Sequence, residues 1–174
     1  MRSRIDVQRL TRLSLLTAMA LAAQWLESFL PPLIPGIPVR IGLANCFVLY
    51  ALLAAKRRGM FDALIVTVLR SFLFMLIVSN PAQLLYSLAG GILSVLAMAG
   101  LLPLYRRERV SPIGTSVVGA FCFNIGQLFI GCLAAGWAMI AYLPWMGLLS
   151  ILAGAMTGLL VLLLQKRLTA SAQA

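Results

Sequence analysis

The sequence predicts an all-α integral membrane protein, a single bundle of six helices with both termini in the cytoplasm. Of its 174 residues, 62% are hydrophobic and 10% are charged, and the mean hydropathy is +1.02. Soluble domains of this size are about 45–50% apolar and about 25% charged. The apolar residues form long runs separated by short loops, and a run of roughly 20 apolar residues spans a bilayer as a helix.

The first two helices are predicted at residues 13–30 and 41–55. Between them lie four prolines in eight residues, and proline cannot continue a helix because it lacks the N–H and clashes with the preceding turn. The stretch 31–45 is therefore predicted to be a stiff loop that forms the lid and one wall of a site. The second helix is short for a span, so it is either tilted or preceded by a loop that enters the membrane.

The remaining helices are predicted at residues 59–78, 82–104, 112–135 and 138–164. Asn80-Pro81 predicts a tight turn, and Pro112 suits the first position of a helix, where a missing N–H costs nothing. Pro144 predicts an interruption or restart of the last helix.

The domain organisation follows from these boundaries. Residues 1–12 form a basic cytoplasmic tail, residues 13–168 the transmembrane domain, and residues 169–174 a disordered tail. Ala18-Met19-Ala20 is similar to a signal-peptidase site. The apolar run continues well beyond it, however, so the first helix is predicted to be uncleaved.

Basic residues predict the orientation in the cell membrane. Lys and Arg number 14 against 4 Asp and Glu. Twelve of the 14 lie in the N-terminal tail, the 56–58 and 106–109 loops and the C-terminal tail. By the positive-inside rule these segments are cytoplasmic, and the 31–40 loop is outside. The positive charge is thus explained by topology and anionic lipid rather than by nucleic acid.

Polar side chains within the apolar runs fall mainly in the outer half of the predicted bundle. Polar groups are costly in a bilayer and usually face the bundle interior or a cavity. Each of them alone could simply hydrogen-bond a neighbouring helix, but packing alone would not place them in one leaflet. We therefore predict a substrate-binding set comprising Glu27, Arg40, Asn45, Arg70, Gln83, Tyr86, Asn124 and Gln127.

Arg70 is the most informative member of this set, because a charge at its depth in the membrane needs a partner. It lies eleven residues into the third helix, roughly 16 Å deep at 1.5 Å per residue. A mid-membrane arginine costs about 3 kcal/mol or more unless it is paired. It therefore pairs with Glu27 or receives an anionic ligand, with Arg40 as a second positive contact. Asp62, near the cytoplasmic end, is predicted to pair with the 56–58 loop.

The first helix presents two faces. At 100° per residue, Ser14, Ala18 and Ala22 lie at about 0–80°, whereas Gln24 and Glu27 lie at about 220–280°. A stripe of small residues permits close approach by another helix. We therefore predict that Ser14, Ala18 and Ala22 dock lipid or a partner protein if Glu27 faces inward. Ser150, Gly154 and Gly158 repeat the spacing in the last helix, where internal packing is favoured.

The sequence contains no motif for catalysis, metal binding or phosphate binding. There is no histidine, the four acids are scattered, and no phosphate-binding Gly-Lys motif occurs. The three cysteines lie in apolar runs without metal-ligand spacing. We predict no catalytic residue, no metal and no cofactor bound by this chain, so it is not an enzyme acting alone.

Four segments carry a resemblance to a known family: PGIPVRIGLAN (35–45), the Leu69-Arg70 step, LLYSLAGGILS (84–94) and FNIGQL (123–128). Over residues 13–168 the chain resembles the Gx transporter family, which is labelled heptaprenyl diphosphate synthase component I. That family is related to the six-helix substrate-binding S components of energy-coupling-factor (ECF) transporters in the bacterial inner membrane. Two positions depart from it, because Arg40 stands where lysine is usual and Phe123 where histidine is common.

The resemblance implies a subunit that binds a small molecule near the outer face, under the loop between the first two helices. It would dock through the alanine stripe on a transmembrane subunit, and a pair of ATPases would use ATP to drive transport. The alternative is a non-catalytic membrane subunit that assists a soluble prenyltransferase in heptaprenyl or polyprenyl diphosphate synthesis. An anionic amphiphile or cofactor precursor suits the arginines and their apolar surroundings under either hypothesis.

Overall fold

The structure, a computed structural model, describes residues 7–29, 42–54 and 58–171. These residues form an all-α protein with six α-helices: α1 (Val7–Ser28), α2 (Ala44–Ala54), α3 (Gly59–Val78), α4 (Pro81–Arg106), α5 (Pro112–Ala135) and α6 (Leu143–Ser171). A 3-10 helix, Trp137–Tyr142, precedes α6. Four segments are long and apolar enough to cross a membrane: Gly59–Val78, Pro81–Arg106, Pro112–Ala135 and Trp137–Arg167. The chain is thus a membrane-type helical protein.

Local signals set the helix ends in the second half of the chain. The Asn80 side chain accepts a hydrogen bond from the backbone N–H of Ala82 at 3.1 Å, and Pro81 opens α4. Ser111 accepts from the N–H of Gly114 at 3.1 Å, and Pro112 opens α5. Polar caps of this kind satisfy backbone donors that have no partner within the helix. The predicted interruption near Pro144 is confirmed as the change from 3-10 to α-helix at Leu143.

The helices at both ends of the chain are longer than predicted. The first begins at Val7 rather than at residue 13, so residues 7–12 of the expected tail are helical. The last continues to Ser171, through the first residues of the expected disordered tail. Hydropathy marks where a helix enters lipid, whereas arginine, lysine and glutamine are good helix formers outside it. The prediction of helix ends from hydropathy was therefore wrong at both ends.

The short helix α2 lies at the centre of the described bundle. It packs against α1, α3, α4, α5 and α6, and Val48, Leu49, Ala51 and Leu52 are buried. The outer helices are neighbours in the order α1, α3, α4, α5, α6. In the described part of the chain, α1 and α6 do not pack directly on each other. A groove over α2 is left between them.

Glycines let α4, α5 and α6 approach closely. A Cβ added to Gly126 of α5 would lie 2.7 Å from the Cα of Gly90 in α4. On α6, a Cβ at Gly158 would lie 2.6 Å from the Cα of Ile113, and one at Gly154 would overlap the backbone of Val117. The stripe Ser150, Gly154 and Gly158 therefore packs inside the bundle, as the sequence favoured. Small residues at such positions are typical of membrane helix packing.

Candidate functional site

A polar contact joins the end of α1 to the turn before α2. Gly42 has φ +79°, a left-handed conformation that glycine adopts without steric cost. The next backbone N–H, that of Leu43, donates to Oε1 of Glu27, and the N–H of Asn45 bonds the carbonyl of Gly42 at 2.9 Å. Glu27 is buried. Its carboxylate thus fixes the entry of the chain into α2.

Arg70 lies in the interior of the bundle and joins three helices. Its side chain is only 2% exposed. Nη1 donates to Oε1 of Gln24 in α1 at 3.0 Å, and Nη2 donates to Oδ1 of Asn45 in α2 at 3.1 Å. Two neutral amides thus orient the guanidinium. We define Gln24, Glu27, Asn45 and Arg70 as the arginine cluster.

A second polar group joins α5 to α6. The Nδ2 of Asn124 donates to Oγ of Ser150 at 2.7 Å and to the carbonyl of Met146 at 3.3 Å. Ser150 itself donates to that carbonyl at 2.7 Å. Asn124 and Gln127 are 5% and 3% exposed. Their carbonyl oxygens, Oδ1 and Oε1, are buried and accept no hydrogen bond from the described residues. We call these two oxygens the open acceptors.

Two adjacent glycines of α4 separate the open acceptors from the arginine cluster. A Cβ at Gly91 would lie 3.6 Å from Nη2 of Arg70, whereas a Cβ at Gly90 would lie 3.1 Å from Cγ of Gln127. Ser71 and Ser87 bridge α3 and α4 nearby through a 2.7 Å contact between their hydroxyls. The backbone of α4 at this glycine pair therefore lies between Arg70 and Gln127.

The other predicted binding residues take different positions. Gln83 lies in the first turn of α4 and Tyr86 in its second, both half-buried. The ring of Tyr86 lies beside α5, where a Cβ at Gly131 would be 3.8 Å from Cε1. Arg40 and most of the predicted lid, residues 31–41 of the stretch 31–45, lie outside the described residues. The binding roles of all these residues stay predictions.

The small-residue stripe on α1 faces away from the bundle. Ser14, Ala18 and Ala22 are exposed, whereas Gln24 and Glu27 on the other face are buried. The two faces therefore lie as the helical wheel predicted. What the stripe contacts in the membrane stays a prediction.

Asp62 lies far from the arginine cluster, at the other end of α3. Its Oδ1 accepts from Nε and Nη2 of Arg9, at 3.0 and 2.5 Å. The sequence favoured a partner in the 56–58 loop, of which residues 56 and 57 lie outside the described ranges. The ion pair with Arg9 was missed because the first residues were assigned to a tail instead of to α1.

Two residues of the site were missing from the predicted set. Gln24 binds Arg70, and its place beside Glu27 on the helical wheel of α1 was the available signal. Ser150 binds Asn124, but the sequence indicated only its place in a small-residue stripe. Periodicity gives the face of each residue, whereas the partner across a helix pair depends on the packing of both helices.

The fold and these contacts define a membrane-embedded helical protein with a polar site buried inside its bundle. A comparison with protein families matches residues 16–164 to heptaprenyl diphosphate synthase component I. The chain belongs to this family, so the resemblance based on the four segments is confirmed at the level of the family. Comparisons with curated proteins and with solved structures found no match.

Proposed function

We propose that the protein is the substrate-binding subunit of an ECF-type transporter and captures a small anionic amphiphile or cofactor precursor. The observation that carries the proposal is the buried polar interior, in which a charged guanidinium and two open acceptors lie on either side of a glycine pair. A purely structural network would be expected to satisfy its own acceptors, because an unmet buried polar group costs about 1–3 kcal/mol.

The chemistry of the site favours one class of ligand. Arg70 suits a carboxylate or phosphate oxygen, to which guanidinium groups donate in fixed geometry. The open acceptors on Asn124 and Gln127 suit hydroxyl or amide donors on the same molecule. The surrounding helices are apolar, so the remainder of the ligand is apolar as well.

The proposed orientation places the site near the outer half of the membrane. In this arrangement the chain crosses the bilayer at α1 and again at the segment that contains α2, in addition to the four long segments, and both termini are cytoplasmic. The distribution of arginine and lysine supports this orientation. Arg40 and the 31–45 loop would then cover the site from outside.

Transport requires partners, and the small-residue stripe of α1 supports one. Ser14, Ala18 and Ala22 are exposed on an apolar helix, so a second helix can approach its backbone closely. The proposed partner is an ECF-type transmembrane subunit, which carries a pair of ATPases that use ATP. This chain itself would bind no cofactor.

The partner proposal is tested by the double change Ala18→Leu and Ala22→Leu. We expect loss of co-purification with the transmembrane subunit and ATPases, and unchanged binding of the ligand. Val7→Leu, also at an exposed position of α1, is the control that should retain the partner. Loss of fold or ligand in the double variant would instead assign the stripe to internal packing.

The ligand is tested by native mass spectrometry of gently purified full-length protein. We expect one small anionic molecule per chain in the wild type, absent after Asn124→Leu together with Gln127→Leu. Wild-type protein that transports or retains no such molecule would contradict the proposal.

A second candidate rests on the family name, which implies a partner synthase component. In this role the protein would be a non-catalytic membrane subunit that assists heptaprenyl or polyprenyl diphosphate synthesis, and the bound amphiphile would be an isoprenoid diphosphate. Co-purification with a soluble prenyltransferase, in place of ATPases, would favour this function over transport.

Orientation is tested by cysteine labelling after replacement of Cys46, Cys122 and Cys132. Ala138→Cys, in the exposed 3-10 helix, should react with an impermeant reagent added outside. Arg107→Cys, between α4 and α5, should react only after the membrane is opened. The reverse pattern would place the polar site toward the cytoplasm.

A further inference from the structure

A groove at the opposite end of the bundle is not used by the proposed site. It lies between α1 and α6, which do not pack on each other in the described part of the chain, and α2 forms its floor. Its volume is about 280 Å³, and its apolar lining consists of Leu15, Leu16, Met19, Phe47 and Leu164. The groove lies where α1 begins and α6 nears its end. We call this the basic end, after Arg9, Arg58, Arg107 and Lys166.

Arg12 gives this apolar groove a cationic edge. Its guanidinium carbon lies 5.8 Å from the ring centroid of Tyr50 in α2, and both residues line the groove. The Nη2 of Arg12 is buried and has no hydrogen-bond partner among the described residues. Arg9, one turn earlier, is instead paired with Asp62. The groove therefore combines an apolar lining with one cation that no described carboxylate neutralises.

The size and position of the groove select its occupant. Pockets that enclose a whole drug-sized ligand measure about 300–1,000 Å³. The groove is at the lower limit of this range, so its size suits the end of a slender apolar group such as an acyl chain. It opens on the side of a membrane protein, where the neighbouring molecules are lipids. A lipid with an anionic headgroup matches both features, since its acyl chain suits the apolar lining and its headgroup suits Arg12.

We propose that this groove binds one acyl chain of an anionic phospholipid, from the leaflet at the basic end, with the lipid phosphate on Arg12. Guanidinium groups donate two parallel hydrogen bonds to phosphate oxygens, and Nη2 of Arg12 has that capacity available. Tyr50 holds the guanidinium over its ring at the mouth of the groove. The bound lipid would seal the gap between α1 and α6. The proposal does not depend on the polar site or on its ligand.

The test is native mass spectrometry of delipidated full-length protein titrated with phosphatidylglycerol or phosphatidylcholine. Wild-type protein should bind one phosphatidylglycerol molecule more tightly than any further lipid. Arg12→Gln should weaken that first binding step about fivefold, the effect of one cation at a lipid surface. It should weaken the binding of phosphatidylcholine by less, because the choline cation of that lipid already balances the charge of its phosphate. The control is Arg107→Gln, which removes the same charge from an exposed turn at the same end.

A second pair of variants tests the apolar lining of the groove. Leu15→Trp adds bulk at the groove, whereas Leu26→Trp makes the same change at another exposed position of α1. Only the first should weaken the first binding step for both lipids. Three results would overturn the proposal: equal losses in Arg12→Gln and Arg107→Gln, no loss in either, or equal losses in the two tryptophan variants. Displacement of the lipid by an isoprenoid diphosphate at equimolar concentration would also overturn it, because the groove would then be a substrate site.

Discussion

The two sides of the bundle hold their helices together in different ways. On the α5–α6 side, glycines bring backbones into contact, and short hydroxyls bond across the interface, as between Ser116 and Thr157 at 2.6 Å. On the α1–α3 side, a long charged side chain reaches across the interior from Arg70 to Gln24 and Asn45. Backbone contacts hold two helices at a fixed spacing, whereas long polar side chains can exchange one partner for another. We infer that the first side is the scaffold and the second forms the adaptable part of the site.

The largest expected effect comes from breaking the scaffold. Gly154→Leu should destabilise the protein by about 3 kcal/mol or more, because the new side chain would enter the backbone of Val117. Unfolding in mixed micelles measures this change. Gly100→Leu is the matched control in α4, where a Cβ has no neighbour within 4 Å. It should be neutral or stabilising by up to about 1 kcal/mol.

A smaller effect is expected at the ion pair between α1 and α3. Arg9→Met should cost about 2 kcal/mol, because it leaves the buried carboxylate of Asp62 without this partner. The loss is limited because the side chain of Arg9 is 34% exposed while that of Asp62 is 7% exposed. Asp62→Asn in the same chain should restore most of the stability. Equal stability of Arg9→Met and the exposed-site control Arg107→Met would show that the pair contributes nothing.

The smallest effect is expected where α3 meets α4. Ser71→Ala should cost about 0.6 kcal/mol, the average for hydrogen bonds between membrane helices. Adding Ser87→Ala should cost little more, since removing both hydroxyls leaves no unmet group. A double variant much less stable than the single would show that Ser87 has a further partner. That result would assign this contact to the site.

The sequence predicted the helix bounds better than the contacts of the site, and the reason is physical. Helices α3 and α5 have the predicted bounds because Asn80-Pro81, Ser111-Pro112 and Gly136 are local stop and start signals. The sequence also predicted which face of α1 is buried, since burial follows helical periodicity. The partners of Arg70 and Asp62 could not be predicted from the sequence, because they lie 25 to 53 residues away along the chain. Their contacts depend on the angles at which helices pack.

Arg70 also shows what periodicity omits. The sequence identified its cost in the membrane and Glu27 as the acid at a suitable height. In the structure the carboxylate of Glu27 accepts from the backbone of Leu43, and the amide oxygens of Gln24 and Asn45 accept from the guanidinium of Arg70. A left-handed glycine at position 42 makes the first contact possible, and that conformation leaves no periodic signal in the sequence.

The central claim is that Arg70 binds the ligand, and its most direct test is the affinity of Arg70→Met for the molecule that co-purifies with the wild type. We expect a loss of about 2–5 kcal/mol, the range for losing one member of a buried charge pair. This is a decrease of roughly 30-fold to several thousand-fold. Arg107→Met is the control for charge, and thermal unfolding of Arg70→Met, Glu27→Gln and the double variant separates binding from folding. The account predicts a folded Arg70→Met protein with weakened binding, and an unchanged affinity would contradict it.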